Sequence, residues 1–400
     1  MRIAYISADP GVPVFGSKGC SIHVQEALRA LLKRGAEVDL FATSCLGNAP
    51  AGLEAVQLHP LAQPPKGDLA VREKLSLAAN EELPGVLRKL GGTGLQGRVF
   101  DLIYERYSLW SFAGMEYARA TGAPAVLEVN APLIEEQAEH RGLIDRASAE
   151  RVAERAFESA TVLIAVSDEV AAWLERFPAA RGKVHVIPNG VDPGRFSKKL
   201  EPSRSWPPGS FTVGFVGTLK RWHGLTILVE AFSSLHARRP NARLLIVGDG
   251  PERQSLEADL SARKLTEFVH FTGAVAPEAV PGLLASMHVG VAPYPKLANF
   301  YFSPLKVYEY MAAGLPVVAS RIGQLQNLIE SGVTGLLTSP GDAAELANAL
   351  LQLHDDPVLG KGLGQAARAL VLRNHTWDAV VERILSLADV RLRSKSNQHR

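Results

Sequence analysis

Short apolar runs alternate with amphipathic stretches along the first half of the chain. Residues 2–8, 37–42, 101–105, 124–129 and 161–166 are strand-length segments containing β-branched residues. Between them, stretches such as 22–33 and 135–159 repeat their apolar positions at helical spacing. Such alternation predicts a parallel sheet covered by helices on both faces. Val184-His185-Val186-Ile187 reads as its last strand, closed by the turn Pro188-Asn189-Gly190-Val191-Asp192. Residues 193–210, with Lys198-Lys199, Pro202, Pro207-Pro208 and Gly209, read as a linker.

The pattern then restarts. Strands are predicted at 211–216, 243–247, 268–271, 288–293 and 316–319, with helices at 224–238, 252–263, 277–286, 304–313, 323–331 and 342–355. The fold class is α/β: two tandem doubly wound, Rossmann-like domains, 1–192 and 211–375, facing across a cleft. An amphipathic segment from Trp377 to about Val390 is surplus to the second sheet. Residues 376–400 are therefore expected to cross back to the first domain and to end in a basic tail.

The most informative chemistry lies in SPLKVYEYMAAGLPVVAS, residues 303–320. Ser303 is predicted as an N-cap and Pro304 as the first helical residue. The helix continues through Leu305, Lys306, Glu309 and Met311 until Gly314 supplies a left-handed stop, and Pro316-Val317-Val318-Ala319 reads as a buried strand. Free N–H groups in the first helical turn form an anion site, and Lys306 adds a positive charge beside it. Glu309, one turn further on the same face, offers a carboxylate to a vicinal diol such as a ribose. Phosphate plus ribose means a nucleotide. A lone Lys-x-x-Glu is more often a surface pair; the capped start and the neighbouring loops favour the ligand.

Four such loops open at strand ends. Residues 11–20 carry Gly16 and Gly19 ahead of a helix beginning near Ser21, where backbone N–H groups can approach a phosphate. They are not G-x-G-x-x-G, so the dinucleotide fingerprint is absent, and such glycines alone are more often turn residues. VGTLKRWHG at 216–224 brings Thr218, Lys220, Arg221 and His223 to the end of a buried strand, with pyrophosphate as the expected partner and a solvated basic loop as the plain alternative. VGDGPE at 247–252 uses Gly248 to turn tightly, and Asp249 fixes that turn. Gly273 and Val275 follow the 268–271 strand, where exposed backbone can read a base edge.

Together these segments resemble the retaining glycosyltransferases of family 4, the group-1 type with the GT-B fold. The resemblance spans nearly the whole chain and is strongest from 211 to 335. It implies that the second domain binds a sugar nucleotide and the first carries the acceptor site. Glu309 matches the terminal Glu of the family's E-x7-E motif, which holds the ribose. Lys306 and the backbone of Ser303, Pro304 and Leu305 match the segment facing the diphosphate and the transferred sugar. Gly16 and Gly19 match the glycine loop near the diphosphate. The chain also departs from the pattern. The first Glu of E-x7-E falls at Tyr301, and the Arg and Lys expected after the 211–216 strand fall at Thr218 and His223, leaving Lys220 or Arg221 as cation. Glu128-Val129-Asn130-Ala131-Pro132 occupies the region of a His found in many members, so Asn130 or Glu128 takes its place.

The resulting expectation is transfer of a sugar from a UDP- or GDP-sugar to an acceptor, with retention. Lys306, Arg221 and Asn130 are the catalytic candidates, each preorganised donor to the leaving diphosphate being worth about 3–4 kcal/mol. Glu105, Glu128 and His23 are acceptor-side candidates, with structural roles as the plainer reading. No Asp-x-Asp stands at a strand end, so neither metal nor cofactor is expected. The acceptor is a glycan, a lipid-linked species or a small molecule. A GT-B epimerase and a non-catalytic two-domain sugar- or nucleotide-binding protein are the rivals. A net charge of +2 gives no reason to expect nucleic acid. Arg391, Arg393, Lys395 and Arg400 form a solvated tail or a peripheral contact for anionic membrane head groups. Two cysteines, Cys20 and Cys45, suit a reducing cytoplasm, and neither a leader nor a membrane-spanning run is read.

Overall fold

The computed structural model of the chain describes residues 1–45, 47–64, 67–90, 99–196 and 200–389. Lys198-Lys199, Val390 and the basic tail lie outside the described residues. The described strands form two all-parallel sheets in two compact units.

The first unit comprises residues 1–189, 301–303 and the chain from 377 onward. Its strands are β1 (Arg2–Ser7), β2 (Glu37–Ala42), β3 (Gln57–Pro60), β4 (Leu102–Arg106), β5 (Ala125–Val129), β6 (Val162–Ala165) and β7 (Val184–Val186). They are ordered β3-β2-β1-β4-β5-β6-β7, with Ile3 opposite Val38 on one side and Leu102 on the other. Helices α1 (Gly19–Lys33), α2 (Leu69–Lys89), α3 (Ala113–Thr121), α4 (Leu133–His140), α5 (Arg146–Ser159) and α6 (Asp168–Leu174) connect them. The single helix expected over 135–159 is two. Gly142, at φ +82°, separates them, and the Asp145 side chain caps α5 by accepting from the Ser148 N–H at 2.9 Å.

The second unit comprises residues 190–300 and 304–376. Strands β8 (Phe211–Val216), β9 (Ala242–Val247), β10 (Val269–Phe271), β11 (Val289–Ala292), β12 (Val317–Ser320) and β13 (Leu336–Thr338) are ordered β10-β9-β8-β11-β12-β13. Its helices are α7 (Leu225–Arg238), α8 (Arg253–Ala262), α9 (Val280–Ala285), α10 (Leu305–Ala312), α11 (Leu325–Leu328), α12 (Ala343–Asp355) and α13 (Pro357–Asn374). The order reverses between β8 and β11, so the loops leaving those two neighbours diverge and open a crevice at their carboxyl ends. Gly290 lets α10 lie close on the sheet, because a Cβ there would sit 2.6 Å from the Tyr310 ring. The Val216 N–H donates to the Tyr310 hydroxyl at 2.7 Å, which ties α10 to the end of β8.

The last helix, α14 (Trp377–Leu387), belongs to the first unit and packs on α1. Trp377, Val380, Val381, Ile384 and Leu385 form its buried face. The Trp377 ring meets His23 edge-on at 4.8 Å, and Arg34 pairs with Glu382 at 3.0 Å. Trp377 is 5% exposed. Trp377→Ala is expected to cost the first unit about 3–5 kcal/mol, seen as a lower midpoint for the first transition in denaturant titration.

Candidate functional site

The carboxyl ends of β8 and β11 bring Lys306 into a recess of the second unit. Its Nζ lies 4.2 Å from the centre of the Phe215 ring and 5.6 Å from that of Tyr294. The stem is partly exposed, yet Nζ is buried and has no hydrogen-bond partner among the described residues. Burial drives the Lys306 ammonium down to about 7, with Glu309 pulling the other way. Two aromatic faces stabilise the cation weakly and cannot replace lost hydration. Gly217 makes the recess: its φ is +143°, and a Cβ there would stand 3.0 Å from Nζ. The arrangement is an amine that burial has stripped of hydration.

Glu309 lies one turn beyond Lys306 on α10 and is held from an unpredicted quarter. Arg195 donates from Nη1 to its Oε1 at 3.1 Å and from Nη2 to the Pro277 carbonyl at 3.0 Å. Burial raises the Glu309 carboxyl while Arg195 opposes that shift. Oε2 has no hydrogen-bond partner among the described residues, which leaves it open to a diol. Arg195 sits in the segment read as a linker, and no motif in the sequence singles it out.

Ser303 is not the cap of α10. The helix starts at Leu305 with Pro304 at the capping position and no side-chain bond. The Ser303 hydroxyl instead accepts from the Asn189 N–H at 3.1 Å, and the Ser303 carbonyl accepts from Asn189 Nδ2 at 2.8 Å. Tyr301 is likewise committed within the first unit, donating its hydroxyl to Glu136 at 2.9 Å while its carbonyl accepts from Ser167 at 2.9 Å.

The three glycine loops of the second unit close on one another. Gly248, at φ +131°, donates to the Gly273 carbonyl at 3.1 Å, and a Cβ on Gly248 would lie 2.1 Å from the Gly217 carbonyl. Gly273 has φ +71°. Val275 follows it on the same loop and makes no distinguishing contact. His223 Nδ1–H donates to the Thr218 carbonyl at 2.6 Å, and burial, followed by the Lys306 charge, drives the ring down to about 3. His223 is therefore neutral at pH 7, with Nε2 as an acceptor. It cannot replace a missing cation. Lys220 lies 5.4 Å over the Trp222 ring, and Arg221 is exposed without an ion pair among the described residues.

In the first unit, Glu128 is 2% exposed and forms the hub of a network. It pairs with His23, accepts from the Tyr104 hydroxyl and from Asn130 Nδ2 at 2.8 Å, and lies 3.9 Å from Arg106. Burial opposes its charge, but His23 and Arg106 outweigh that and hold the carboxyl down to about 2. Glu128 is consumed by structure; Asn130 and Arg106 are the partly exposed members of the network. Glu105 is 0% exposed, bonded to Ser111 at 2.5 Å and raised by burial to about 7. A Cβ on Gly114 would lie 2.5 Å from its Oε2, so Glu105 is a core residue that touches no acceptor. Gly16 lies on the loop before α1, which Gln25 pins by donating to the Val14 and Gly16 carbonyls at 3.0 and 2.8 Å. Gly19 opens α1 itself and is exposed.

A family model described as Glycosyltransferase Family 4 matches residues 17–195, and one described as Glycosyl transferases group 1 matches residues 210–356. A D-inositol 3-phosphate glycosyltransferase of Arthrobacter sp. strain FB24 is 30% identical over 94% of this chain and 92% of its own. The chain belongs to glycosyltransferase family 4. It is a glycosyltransferase of the group-1 type, built from two Rossmann-like domains of the GT-B class. Anabaena HepE, solved with UDP and glucose, superposes with a TM-score of 0.73 at 20% identity, covering 97% of this chain and 99% of HepE. Sucrose-phosphate synthase from Thermosynechococcus elongatus gives 0.72 at 24%, covering 97% and 98%. At those identities the likeness is one of fold. No described helix of this glycosyltransferase is long and apolar enough to cross a membrane. Among the described residues, no group of three or more His, Cys, Asp or Glu is arranged to hold a metal.

The buried ammonium has a measurable signature in the empty enzyme. Lys306 titrates near 7 folded and near 10.5 unfolded, so folding must shed its proton between those values. The penalty is absent above 10.5, grows as pH falls towards 7 and is constant below. Lys306→Met is accordingly expected to raise the melting temperature at pH 7 by several degrees and to lose that advantage by pH 10.5. Scanning calorimetry of both proteins across this range checks it.

Proposed function

We propose that this glycosyltransferase takes its sugar from a nucleoside-diphospho-sugar, a UDP-sugar in first place, and transfers it with retention and without a metal ion. The observation that carries the reading is Lys306: a desolvated ammonium without a partner, one helical turn from a carboxylate with a free oxygen. The HepE complexes with UDP and with UDP-glucose support uridine over guanosine by analogy. In this reading the β-phosphate meets Lys306 and the first turn of α10, and Glu309 Oε2 takes the ribose hydroxyls. Arg195 favours the ionised form of Glu309 and holds its Oε1.

As the sugar C1–O bond to the diphosphate breaks, negative charge grows on the departing oxygen beside the ammonium. The acceptor oxygen bonds to C1 on the face the diphosphate leaves, and its proton passes to the departing phosphate oxygen. No protein nucleophile is needed. Lys220 and Arg221 supply long-range attraction at the rim, and Asn130 is the candidate for positioning the acceptor. The acceptor is a glycan, a lipid-linked species or a small molecule.

The diphosphate restores the Lys306 ammonium, raising its pKa from about 7, so binding above that pH takes up a proton. The ion-pair contribution is full below pH 7 and is lost as pH rises through the pKa of the bound state. Calorimetry of UDP binding at pH 8.5 in buffers of different ionisation enthalpy is expected to show uptake of up to one proton, falling towards zero at pH 6. Buffer-independent enthalpies at pH 8.5 would remove Lys306 from the phosphate site. Lys306→Ala is expected to lower kcat/KM for UDP release by about 10²–10³-fold. Glu309→Ala is expected to weaken binding of UDP more than that of pyrophosphate.

A further inference from the structure

The first unit holds a cavity of about 130 Å³ at the carboxyl ends of β1, β2 and β3, lined on one side by α2 and by the loop after β4. Its wall is largely apolar, with Pro10, Pro60, Leu61, Leu83, Val86 and Trp110. Half of the polar side chains on the wall are already used. Asn80 donates to the Leu77 and Trp110 carbonyls at 2.8 and 2.7 Å and accepts from the Phe112 and Ala113 N–H groups at 2.9 and 3.0 Å. That is its full capacity. Thr43 donates to the Ala8 carbonyl at 3.0 Å and Ser111 to Glu105 at 2.5 Å. The Ser76 and Ser108 hydroxyls and the Glu82 carboxylate remain. Among the described lining residues there is no Lys, Arg or His.

Three facts decide what fits. An apolar cavity of roughly 150 Å³ accommodates benzene, so this one takes about a single six-membered ring. Among the described lining residues a phosphate would meet a carboxylate and no cation. The cavity-lining face of α2, with Ala79, Glu82 and Val86, continues one and two turns back to Leu75 and Val71, which are 43% and 50% exposed. The apolar surface therefore runs out of the cavity along the helix.

We propose that this cavity is the aglycone subsite of the acceptor, taking an uncharged, ring-sized apolar group whose hydroxyl-bearing end meets Ser76, Ser108 or Glu82. The acceptor class is then an amphiphile; a phosphorylated cyclitol such as the D-inositol 3-phosphate named for the relatives would find no cation among the described lining residues. This rests on the reading of the first unit as the acceptor side, and its test is independent of the donor.

Calorimetry with phenyl β-glucoside, methyl β-glucoside and D-inositol 3-phosphate, each with and without UDP, tests it. The full-length protein is expected to bind phenyl glucoside at least tenfold more tightly than methyl glucoside and to show no measurable affinity for inositol phosphate. Ala79→Trp, at an exposed helical position, fills the cavity and is expected to abolish the phenyl preference. Val86→Glu is a second variant with the same expectation, and circular dichroism melting reports whether each variant still folds. Inositol phosphate binding without a phenyl preference overturns the proposal, as does a preference that survives in both folded variants. Loss of UDP binding with the phenyl preference intact overturns the donor reading alone.

Discussion

Charge burial without compensation organises the second unit. A lysine whose ammonium loses water and gains only two ring faces raises the free energy of the empty protein. The surrounding fold is over-determined enough to hold it there. Gly217 removes the side chain that would crowd it, the Tyr310 hydroxyl ties α10 to β8, and Gly290 allows α10 to lie close. Each of these fixes the position of one atom, Lys306 Nζ. An anion that enters returns the solvation lost on folding, so the energy stored in the empty recess becomes affinity and, if charge grows during reaction, rate.

Strand order explains why the cation and its carboxylate come from where they do. The reversal between β8 and β11 leaves a gap that only their own following loops can line. The loop after β8 supplies the glycine and the neutral His223; the chain after β11 supplies Tyr294 and, through α10, Lys306 and Glu309. Arg195 then reaches Glu309 from far away in sequence. Burial pushes this carboxyl towards protonation and the Arg195 guanidinium opposes that shift, while its bond to Oε1 fixes where the carboxylate lies.

Alternation of apolar runs made the two parallel sheets legible, because a strand buried on both faces has few other compositions open to it. Residues 303–320 were legible as a helix followed by a buried strand for the same local reasons. What escaped was set by tertiary contact. Helix α2 carries Pro84 and Gly85 in its interior, and its buried face includes Glu73 and Asn80, so its periodicity is blurred. Helix α13 has glycines at 360, 362 and 364, poor helix formers, yet a Cβ at Gly364 would lie 2.0 Å from the Gly314 carbonyl. The close crossing with the end of α10 requires the very residue that hides the helix. Ser303 looked like a cap because its sequence context suits one; Asn189, remote in sequence, claimed its hydroxyl. Neutral His223 is another such case, since basic residues in a loop do not reveal which of them is dry.

Glu128 raises the converse problem, a buried anion instead of a buried cation. It is fully compensated: His23, Arg106, Tyr104 and Asn130 all address one carboxylate. His23 is in turn covered by Trp377 of α14, and α14 is clamped to α1 by Lys33 and Arg34. Helix α14, far from the sheet in sequence, therefore covers the His23–Glu128 contact beside Asn130 at the end of β5. Removing that cover admits water to His23 and weakens its hold on Glu128. Asn130 then loses the partner that fixes its amide. Asn130, at a strand end, is thus steadied by the packing of a helix far away in sequence, a dependence that no local pattern around residue 130 encodes.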